Sequence, residues 1–402
     1  MFAVLPVCAQ REKYRLESMN VTLISDLLVP PLSGVGRYGY ELAASLNLCE
    51  RLTSLSFMSY RGRETWTQID QRIKGSRFKQ PSPEWSWAQI RSRIANSRVG
   101  SLSYSAISRA QYARIDASVA HALLHAPTLQ ALGSRLALPT VVTVHDLSHR
   151  LDAAWHPTER VNRLNTALRT LARADAVIAV SHSTGRMLIE QNWAAASAVH
   201  VVHNGVSPIF ALASLGQLPS ARRQTICVGT IEPRKNIETL LRAYAALPSR
   251  VLRDHPLLLV GEYGWRSASL HGLIAEMQSR GWLRYIGHVS DARLAREYRR
   301  ARLCVYPSLH EGFGLPVLEA MAAGTPVIAG NHSSIPEVAG RHATLLADVT
   351  NVDEIREAIL AELDSPWHPD AAAERTAHAA RFSWAQTAAQ TADVYERVLR
   401  AR

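Results

Sequence analysis

The stretch that decides the fold is residues 303–324, LCVYPSLHEGFGLPVLEAMAAG. Its apolar start, LCVY, predicts a buried strand, and a loop containing Gly312 and Gly314 then leads into a helix. Pro316 suits the first position of that helix, and Gly324 suits its end. Strand, loop and helix in this order are typical of α/β domains. The free amides at such a helix start, approached closely through the two glycines, suit a phosphate.

Two carboxylates border this predicted phosphate site. Glu311 lies on the loop, and Glu319 is expected in the first turn of the helix. Because carboxylates would oppose a phosphate, we expect them to bind neutral hydroxyl groups beside it, such as those of a sugar and a ribose. The alternative is that Glu319 only complements the helix dipole and Glu311 is solvated.

A second segment, residues 227–236 (CVGTIEPRKN), runs from a predicted strand into another helix. Asn236 is predicted to be the N-cap, which places Arg234 and Lys235 beside the positive end of the helix dipole. An anion should therefore compensate these cations, and a diphosphate held by both side chains fits. A surface basic pair without a ligand is the alternative.

Two features of the first half indicate further contacts. Residues 33–39, SGVGRYG, contain the GxGxxG pattern, but the seven residues 26–32 separate it from its strand, unlike a dinucleotide-binding fingerprint. We interpret Gly34 and Gly36 as a flexible loop at the mouth of a cleft. His145 ends a predicted strand, at the edge where α/β proteins place ligands, so a substrate contact and a structural role are about equally favoured.

Short β-branched runs alternate with helical patterns along the chain, which predicts two doubly wound α/β units. A chain of 402 residues also exceeds what one hydrophobic core usually supports. We assign residues 19–203 to a first domain and 204–384 to a second, with residues 1–18 as a peripheral extension and a helix over 384–399. Strands are predicted at 21–25, 141–144, 176–180, 225–228, 257–260, 284–286, 303–306 and 327–329, and residues 199–208 are predicted to be a strand followed by a turn into the second domain.

The net charge of +11 is concentrated in the first half. Residues 1–200 carry 23 Lys and Arg against 14 Asp and Glu, whereas residues 201–402 carry 22 against 20. The excess is densest at 51–115, where Trp66, Trp85 and Trp87 are interleaved. Such a region suits nucleic acid, anionic lipid or a phosphate-bearing acceptor, and a solvated basic face is an equal alternative.

Several classes of site are absent from the sequence. No apolar stretch approaches the length of a membrane-spanning helix, and no basic residue precedes the short apolar start, so we expect a cytosolic chain. Because Asp-x-Asp and clustered His or Cys are missing, we expect neither a catalytic metal nor another cofactor. The sequence contains no GxSxG motif, which would indicate a covalent hydrolase.

Together these segments resemble the family 4 glycosyltransferases, retaining enzymes with the GT-B fold of two Rossmann-like domains facing across a cleft. The likeness covers nearly the whole chain from Met19. It rests, in order, on residues 34–38, 145–146, 180–183, 204–206, 229–236, 307–324, 334–340 and 382–384.

The resemblance implies a role for each candidate residue. Arg234 and Lys235 would bind the diphosphate of a nucleotide sugar and neutralise the leaving group. Glu311 would bind hydroxyls of the transferred sugar, Glu319 would hold the ribose, and His145 would face the sugar from the other domain. Further donor contacts are implied for Gly34, Gly36, Gly312, Phe313, Gly314, Leu315 and Pro316. The last helix, residues 385–402, would return to the first domain, and no protein nucleophile would be required.

Residues 230–236 and 145–148, with His156-Pro157, resemble bacterial enzymes that transfer mannose or a related deoxyhexose from a GDP-sugar to lipid-linked O-antigen or exopolysaccharide chains. UDP- and ADP-sugars share the same phosphate site, so the base stays open. The expected partners are a nucleotide-sugar donor, a glycan or lipid-linked glycan acceptor and, through residues 51–115, an anionic membrane surface at the cytoplasmic face. Nucleic acid is not expected as a partner.

Two functions of other classes remain as alternatives. An NADP-dependent oxidoreductase would use the GxGxxG pattern with Arg61 as a 2′-phosphate partner, but it leaves the second half unexplained. A non-enzymatic binder of anionic lipid or nucleic acid would use the basic region, and its binding would depend strongly on salt.

Overall fold

The computed structural model of the chain describes residues 19–30, 32–76, 121–129, 138–212 and 222–401. Within these residues the strands form two sheets, one in each half of the chain. The predicted extension 1–18 lies outside the described residues, as do Trp85 and Trp87 in the basic region.

The first sheet has seven strands in the order β3-β2-β1-β4-β5-β6-β7. Neighbouring strands run parallel, except that β3 is antiparallel to β2. The prediction did not contain β2, β3 or β4. The strands are β1 Asn20–Ile24, β2 Ser54–Ser59, β3 Gly62–Glu64, β4 Ala122–Ala126, β5 Thr140–Val144, β6 Ala176–Ala179 and β7 Val199–Val201.

The second sheet has six parallel strands in the order β10-β9-β8-β11-β12-β13. Three of its strands coincide with the prediction residue for residue, two are displaced or extended by one residue, and β13 was not predicted. The strands are β8 Thr225–Val228, β9 Leu257–Val260, β10 Leu283–Tyr285, β11 Leu303–Tyr306, β12 Val327–Gly330 and β13 Thr344–Leu346.

Helices join the parallel strands, and none of those described is long and apolar enough to cross a membrane. They are α1 Gly34–Leu46, α2 Trp66–Ser76, α3 Ser148–Leu151, α4 Thr158–Leu171, α5 His182–Glu190, α6 Pro208–Leu212, α7 Ile237–Ala245, α8 Ser249–Asp254, α9 Ala268–Ser279, α10 Asp291–Arg300, α11 Leu315–Ala322, α12 Ile335–Ala339, α13 Val352–Asp364, α14 Pro369–Ala379 and α15 Trp384–Arg400.

The chain passes between the two sheets twice, at residues 203–206 and 382–384. The two crossings touch, because the Val206 amide donates to the Phe382 carbonyl at 2.9 Å. A Cβ on Gly205 would lie 2.2 Å from the Trp384 nitrogen, so only glycine fits there. The crossings therefore form one compact hinge between the domains.

After the second crossing, α15 packs on α1 of the first domain. Its Tyr395 hydroxyl lies 2.6 Å from Nδ1 of His125, a buried histidine of β4. On the outside of the helix, Arg51 pairs with Asp393 at 2.8 Å and with Glu396 at 3.0 Å. The last helix thus completes the core of the first domain.

Candidate active site

The loop after β11 and helix α11 lie at the interface between the domains. Gly314 is the N-cap of α11, Leu315 its first residue and Pro316 its second, so Pro316 lies one position later than predicted. The helix ends at Ala322, and Gly324 follows with a left-handed φ of 74°, as a stop signal requires.

Four donors converge on one carboxylate oxygen, Oε1 of the buried Glu311. The Lys235 ammonium lies at 2.6 Å and the Arg234 guanidinium at 2.9 Å, while the hydroxyls of Ser308 and Tyr306 donate at 2.5 and 2.8 Å. Burial acts to raise the pKa of Glu311, but Arg234 and then Lys235 outweigh it and lower this pKa to about 2. Glu311 is therefore an ionised carboxylate.

Arg234 and Lys235 lie on a 3-10 turn, Pro233–Lys235, between β8 and α7. Arg234 donates to the His310 carbonyl at 2.7 Å and pairs with Glu232 at 3.0 Å. Its Nε is buried without a hydrogen-bond partner among the described residues. Burial and the neighbouring Arg234 lower the pKa of Lys235. The two cations need a counter-charge, and Glu311 supplies it.

Asn236 does not cap α7 in the predicted way. It occupies the N-cap position with a left-handed φ of 54°, and its side chain accepts no backbone hydrogen bond from the helix. Instead its amide donates to the carbonyls of Val349 at 2.7 Å and Pro307 at 3.2 Å. Its Oδ1 accepts from the Thr239 hydroxyl at 2.6 Å, so Asn236 ties the turn of Arg234 and Lys235 to the residue after β11.

Glu319 lies in the second turn of α11, not the first as predicted, because the helix starts at Leu315. It is buried, and the Tyr298 hydroxyl donates to it at 3.3 Å. Burial raises its pKa to about 7, although the positive charge of Arg37 opposes the shift. Arg37 reaches from the first domain and pairs with Asp291 of the second at 2.5 Å. Sequence reasoning assigned no role to this ion pair.

The glycine segment of the first domain is the first turn of α1 and not the flexible loop that we expected. Ser33 is the N-cap, and its hydroxyl accepts from the Gly36 amide at 3.1 Å. A Cβ on Gly36 would lie 2.9 Å from the Leu27 carbonyl, whereas Gly34 faces open space. The serine cap orders the segment, and Arg37, the next residue, is thereby directed across the cleft.

His145 follows β5, and its backbone carbonyl lies against Gly312 of the second domain. Its Nε2 lies 2.8 Å from the Pro127 carbonyl, and its ring meets the edge of Tyr38 at 4.6 Å. Because a carbonyl only accepts, Nε2 carries the proton of this hydrogen bond. Burial lowers the pKa of His145, so its ring is neutral and Nδ1 keeps a lone pair.

The loop of Glu311 and Gly312 and the end of β5 touch directly. A Cβ on Gly312 would lie 1.6 Å from the His145 carbonyl oxygen, so this approach requires glycine. The structure thus brings the loop of Gly312 and the backbone at His145 together from opposite domains. The Phe313 ring instead lies against the hinge, 5.9 Å from His203 and 6.0 Å from Phe382.

Asp146 is a site residue that sequence reasoning left without a role. Its carboxylate accepts from the amide and the hydroxyl of Ser148 at 3.0 and 2.7 Å. Burial opposes its ionisation, but Arg234 across the domain interface holds the pKa of Asp146 well below its usual range. Its position directly after His145, at the end of a strand, was the available signal.

Comparison with known proteins agrees with this architecture. Residues 76–209 match the family described as Glycosyltransferase Family 4, and residues 216–381 match Glycosyl transferases group 1. The chain is 32% identical to the O-antigen chain mannosyltransferase B of Escherichia coli, over 94% of this chain and 100% of that protein. This protein belongs to the family 4 glycosyltransferases.

Solved structures confirm the predicted GT-B fold of this family 4 glycosyltransferase. Sucrose-phosphate synthase from Thermosynechococcus elongatus superimposes with a TM-score of 0.66 at 20% identity, over 96% of this chain and 100% of that one. WaaG, a glycosyltransferase involved in lipopolysaccharide biosynthesis, also gives 0.66, at 13% identity over 93% and 99% of the two chains. The family membership does not favour the oxidoreductase or the non-enzymatic binder.

Proposed function

We propose that this enzyme is a retaining mannosyltransferase that uses a GDP-sugar and needs no catalytic metal. The donor sugar is mannose or a related deoxyhexose, and the acceptor is a lipid-linked O-antigen or exopolysaccharide glycan at the cytoplasmic face of the membrane. The observation that carries the proposal is the buried set of Arg234, Lys235 and Glu311, in a loop whose Gly312 packs against the His145 carbonyl of the other domain. The choice of mannose is supported by the name of the Escherichia coli relative.

The two cations suit the departing diphosphate. In the structure their charge is balanced by Glu311, and the buried Nε of Arg234 has no partner among the described residues. A bound diphosphate would give Arg234 and Lys235 a second anion of matching geometry. As the glycosidic bond to phosphate breaks, negative charge grows on the leaving group, and fixed buried cations stabilise it.

Two groups are placed to orient the sugar between the domains. The four groups that contact Glu311 all reach Oε1, which leaves Oε2 to accept a sugar hydroxyl. The Nδ1 lone pair of His145 provides an acceptor on the opposite side of the interface. Such polar groups, held by packed neighbours, fix the reacting carbon relative to both substrates.

Retention of configuration follows from attack on the face from which the diphosphate leaves. The bond from C1 to the phosphate oxygen breaks, the acceptor oxygen bonds to C1, and its proton passes to the departing phosphate oxygen. The low pKa of Glu311 makes it a poor general base, which favours this route.

The described part of the basic region bears on the proposed membrane contact. Arg51, Arg72 and Lys74 pair with carboxylates, at 2.8, 2.5 and 2.7 Å. Trp66 packs against the ring of Tyr40 at 5.4 Å. The contact therefore depends on the exposed Arg61 and Arg63 and on residues 77–115, which lie outside the described residues.

A panel of nucleotide sugars tests the proposed donor. GDP-mannose should raise the melting temperature and be hydrolysed slowly without acceptor, whereas UDP- and ADP-sugars should do neither. The anomeric configuration of the product with a glycan acceptor, read by NMR, tests retention. Stabilisation by UDP-sugars alone would contradict the GDP assignment, and an inverted product would contradict the mechanism.

A further inference from the structure

Two sequence motifs take no part in the donor site described above, the run at 180–183 and the run at 334–340. The structure places them against each other across the domain interface. The first forms the start of helix α5 in the first domain, and the second forms α12 in the second domain.

Helix α5 begins with backbone amides that need acceptors. Its N-cap, Ser181, accepts from the Thr184 amide at 3.0 Å. The two remaining amides of the first turn, those of His182 and Ser183, donate to the Glu337 carboxylate at 2.9 and 3.3 Å. A residue of the second domain thus completes the cap of a helix in the first, where the helix dipole also attracts its charge.

The same carboxylate is held by the hinge. Nε2 of His203 donates to Oε1 of Glu337 at 2.8 Å. The hydrogen bonds from His203 and from the α5 amides, despite the burial of the carboxylate, lower the pKa of Glu337. Glu337 is therefore an anion bound by the start of α5 in the first domain and by His203 of the hinge.

Helix α12 connects this anion to Glu311. Just before α12, the Ser333 hydroxyl accepts from the Glu311 amide at 3.1 Å, and the Ser334 hydroxyl donates to the Glu311 carbonyl at 2.9 Å. On the other side, the Thr184 hydroxyl donates to the Gly312 carbonyl at 3.3 Å. The first turn of α5 therefore contacts the loop of Glu311 and Gly312 in two ways: directly at Gly312, and through Glu337 and the two serines that precede α12.

We propose that Glu337 is a positioning residue, an interdomain latch that holds the donor loop of Glu311 and Gly312 against the end of β5 during transfer. Its carboxylate, bound to the α5 start and to His203, fixes the approach of Gly312 to the His145 carbonyl. The proposal rests on the proposed transferase function, because it assigns the latch to the transfer step and not to nucleotide binding, which lies at Arg234 and Lys235.

Three variants of the full chain test the latch: Glu337→Ala, Glu337→Gln and, as a matched control, Glu276→Ala. Glu276 is an exposed carboxylate of the same domain, paired with Arg280 at 2.7 Å on α9. Without donor, Glu337→Ala should show a larger radius of gyration by X-ray scattering than the control. Its kcat with GDP-mannose should fall about tenfold or more, while its Kd for GDP stays within about twofold of wild type.

The radius of gyration and the kcat of Glu337→Gln should lie between those of the other two variants, because an amide oxygen still accepts from the helix start but carries no charge. If Glu337→Ala does not fold, the same measurements on Glu337→Gln test the proposal. A radius of gyration and kcat equal to those of Glu276→Ala would overturn the proposal, as would equal losses in GDP affinity and kcat. If the wild type ignores GDP and GDP-mannose, the proposed donor fails, and the scattering comparison still decides on the latch.

Discussion

Arg234 and Lys235 balance different numbers of carboxylates, so we expect their removal to have unequal effects on stability. Arg234 lies 2.9 Å from Glu311 and 3.0 Å from Glu232, and its raised pKa owes further to Asp146. Arg234→Ala leaves these buried carboxylates without that counter-charge. Breaking a buried ion pair costs about 3–5 kcal/mol, which corresponds to a melting temperature lower by roughly 10 °C for a domain of this size.

Lys235→Ala should leave the fold nearly as stable as wild type. Glu311 keeps Arg234 as its partner, and the variant removes the repulsion by which Arg234 lowers the pKa of Lys235. Both substitutions remove a donor to the leaving group, so each should reduce kcat about 100- to 1,000-fold. The expected signature is two variants of similar inactivity but different thermal stability.

The assays are differential scanning fluorimetry without donor and turnover of GDP-mannose. Arg242→Ala is the control, since Arg242 is an exposed arginine of α7 paired with Glu238 at 2.6 Å. Equal melting temperatures for Arg234→Ala and Lys235→Ala would refute the counter-charge argument. Wild-type turnover in either variant would refute the diphosphate assignment.

Three further predictions concern metal, pH and the membrane. Turnover should survive excess EDTA, because within the described residues no group of three or more His, Cys, Asp or Glu side chains could hold a metal ion; loss of activity that manganese or magnesium restores would contradict this. Burial raises the pKa of Glu319 from 4.5 to about 7, so the folded chain binds more protons than the unfolded chain in that window, and stability falls as the pH rises through it. Glu319→Gln should therefore gain up to about 3 kcal/mol on the wild type between pH 5 and pH 8 in chemical denaturation, and parallel pH profiles would show that Glu319 is not buried as an acid. Charge reversal at the exposed Arg61 and Arg63 removes two units of charge per position and should weaken binding to anionic vesicles by about 2 kcal/mol each, leaving donor hydrolysis unchanged; equal partitioning of the wild type onto neutral and anionic vesicles would point to a solvated face.

The sequence predicted best where a segment is buried on both sides. Strands 225–228, 257–260 and 303–306 match residue for residue, because a strand between two helical layers is apolar throughout. Strand β3 at the edge of the sheet and its neighbour β2 escaped prediction because they carry serines, a glycine and charged residues. A short polar edge strand has no pattern that separates it from a loop.

Within the site, the sequence indicated which residues lie close together, but not which of their charges neutralise each other. The prediction assigned a ligand as the anion that Arg234 and Lys235 require. The fold also supplies the carboxylate of Glu311, from a segment about 75 residues away along the chain. Asn236 is the N-cap residue as predicted, but its side chain does not cap the helix amides: its Nδ2 donates to the carbonyls of Pro307 and Val349, distant in sequence, and its Oδ1 accepts from the Thr239 hydroxyl. Such long-range partners leave no local signal.

The docking of α15 on the first domain has a consequence for biosynthesis. The whole second domain is translated before the helix whose Tyr395 reaches His125 inside the first. Until α15 has been synthesised, the apolar side of α1 in the first domain stays exposed. Chaperones recognise such exposed apolar surfaces. Enzymes chimaeric between two members of the family should therefore carry α15 from the parent of the first domain, and exchanges made simply at residue 204 should yield insoluble chains.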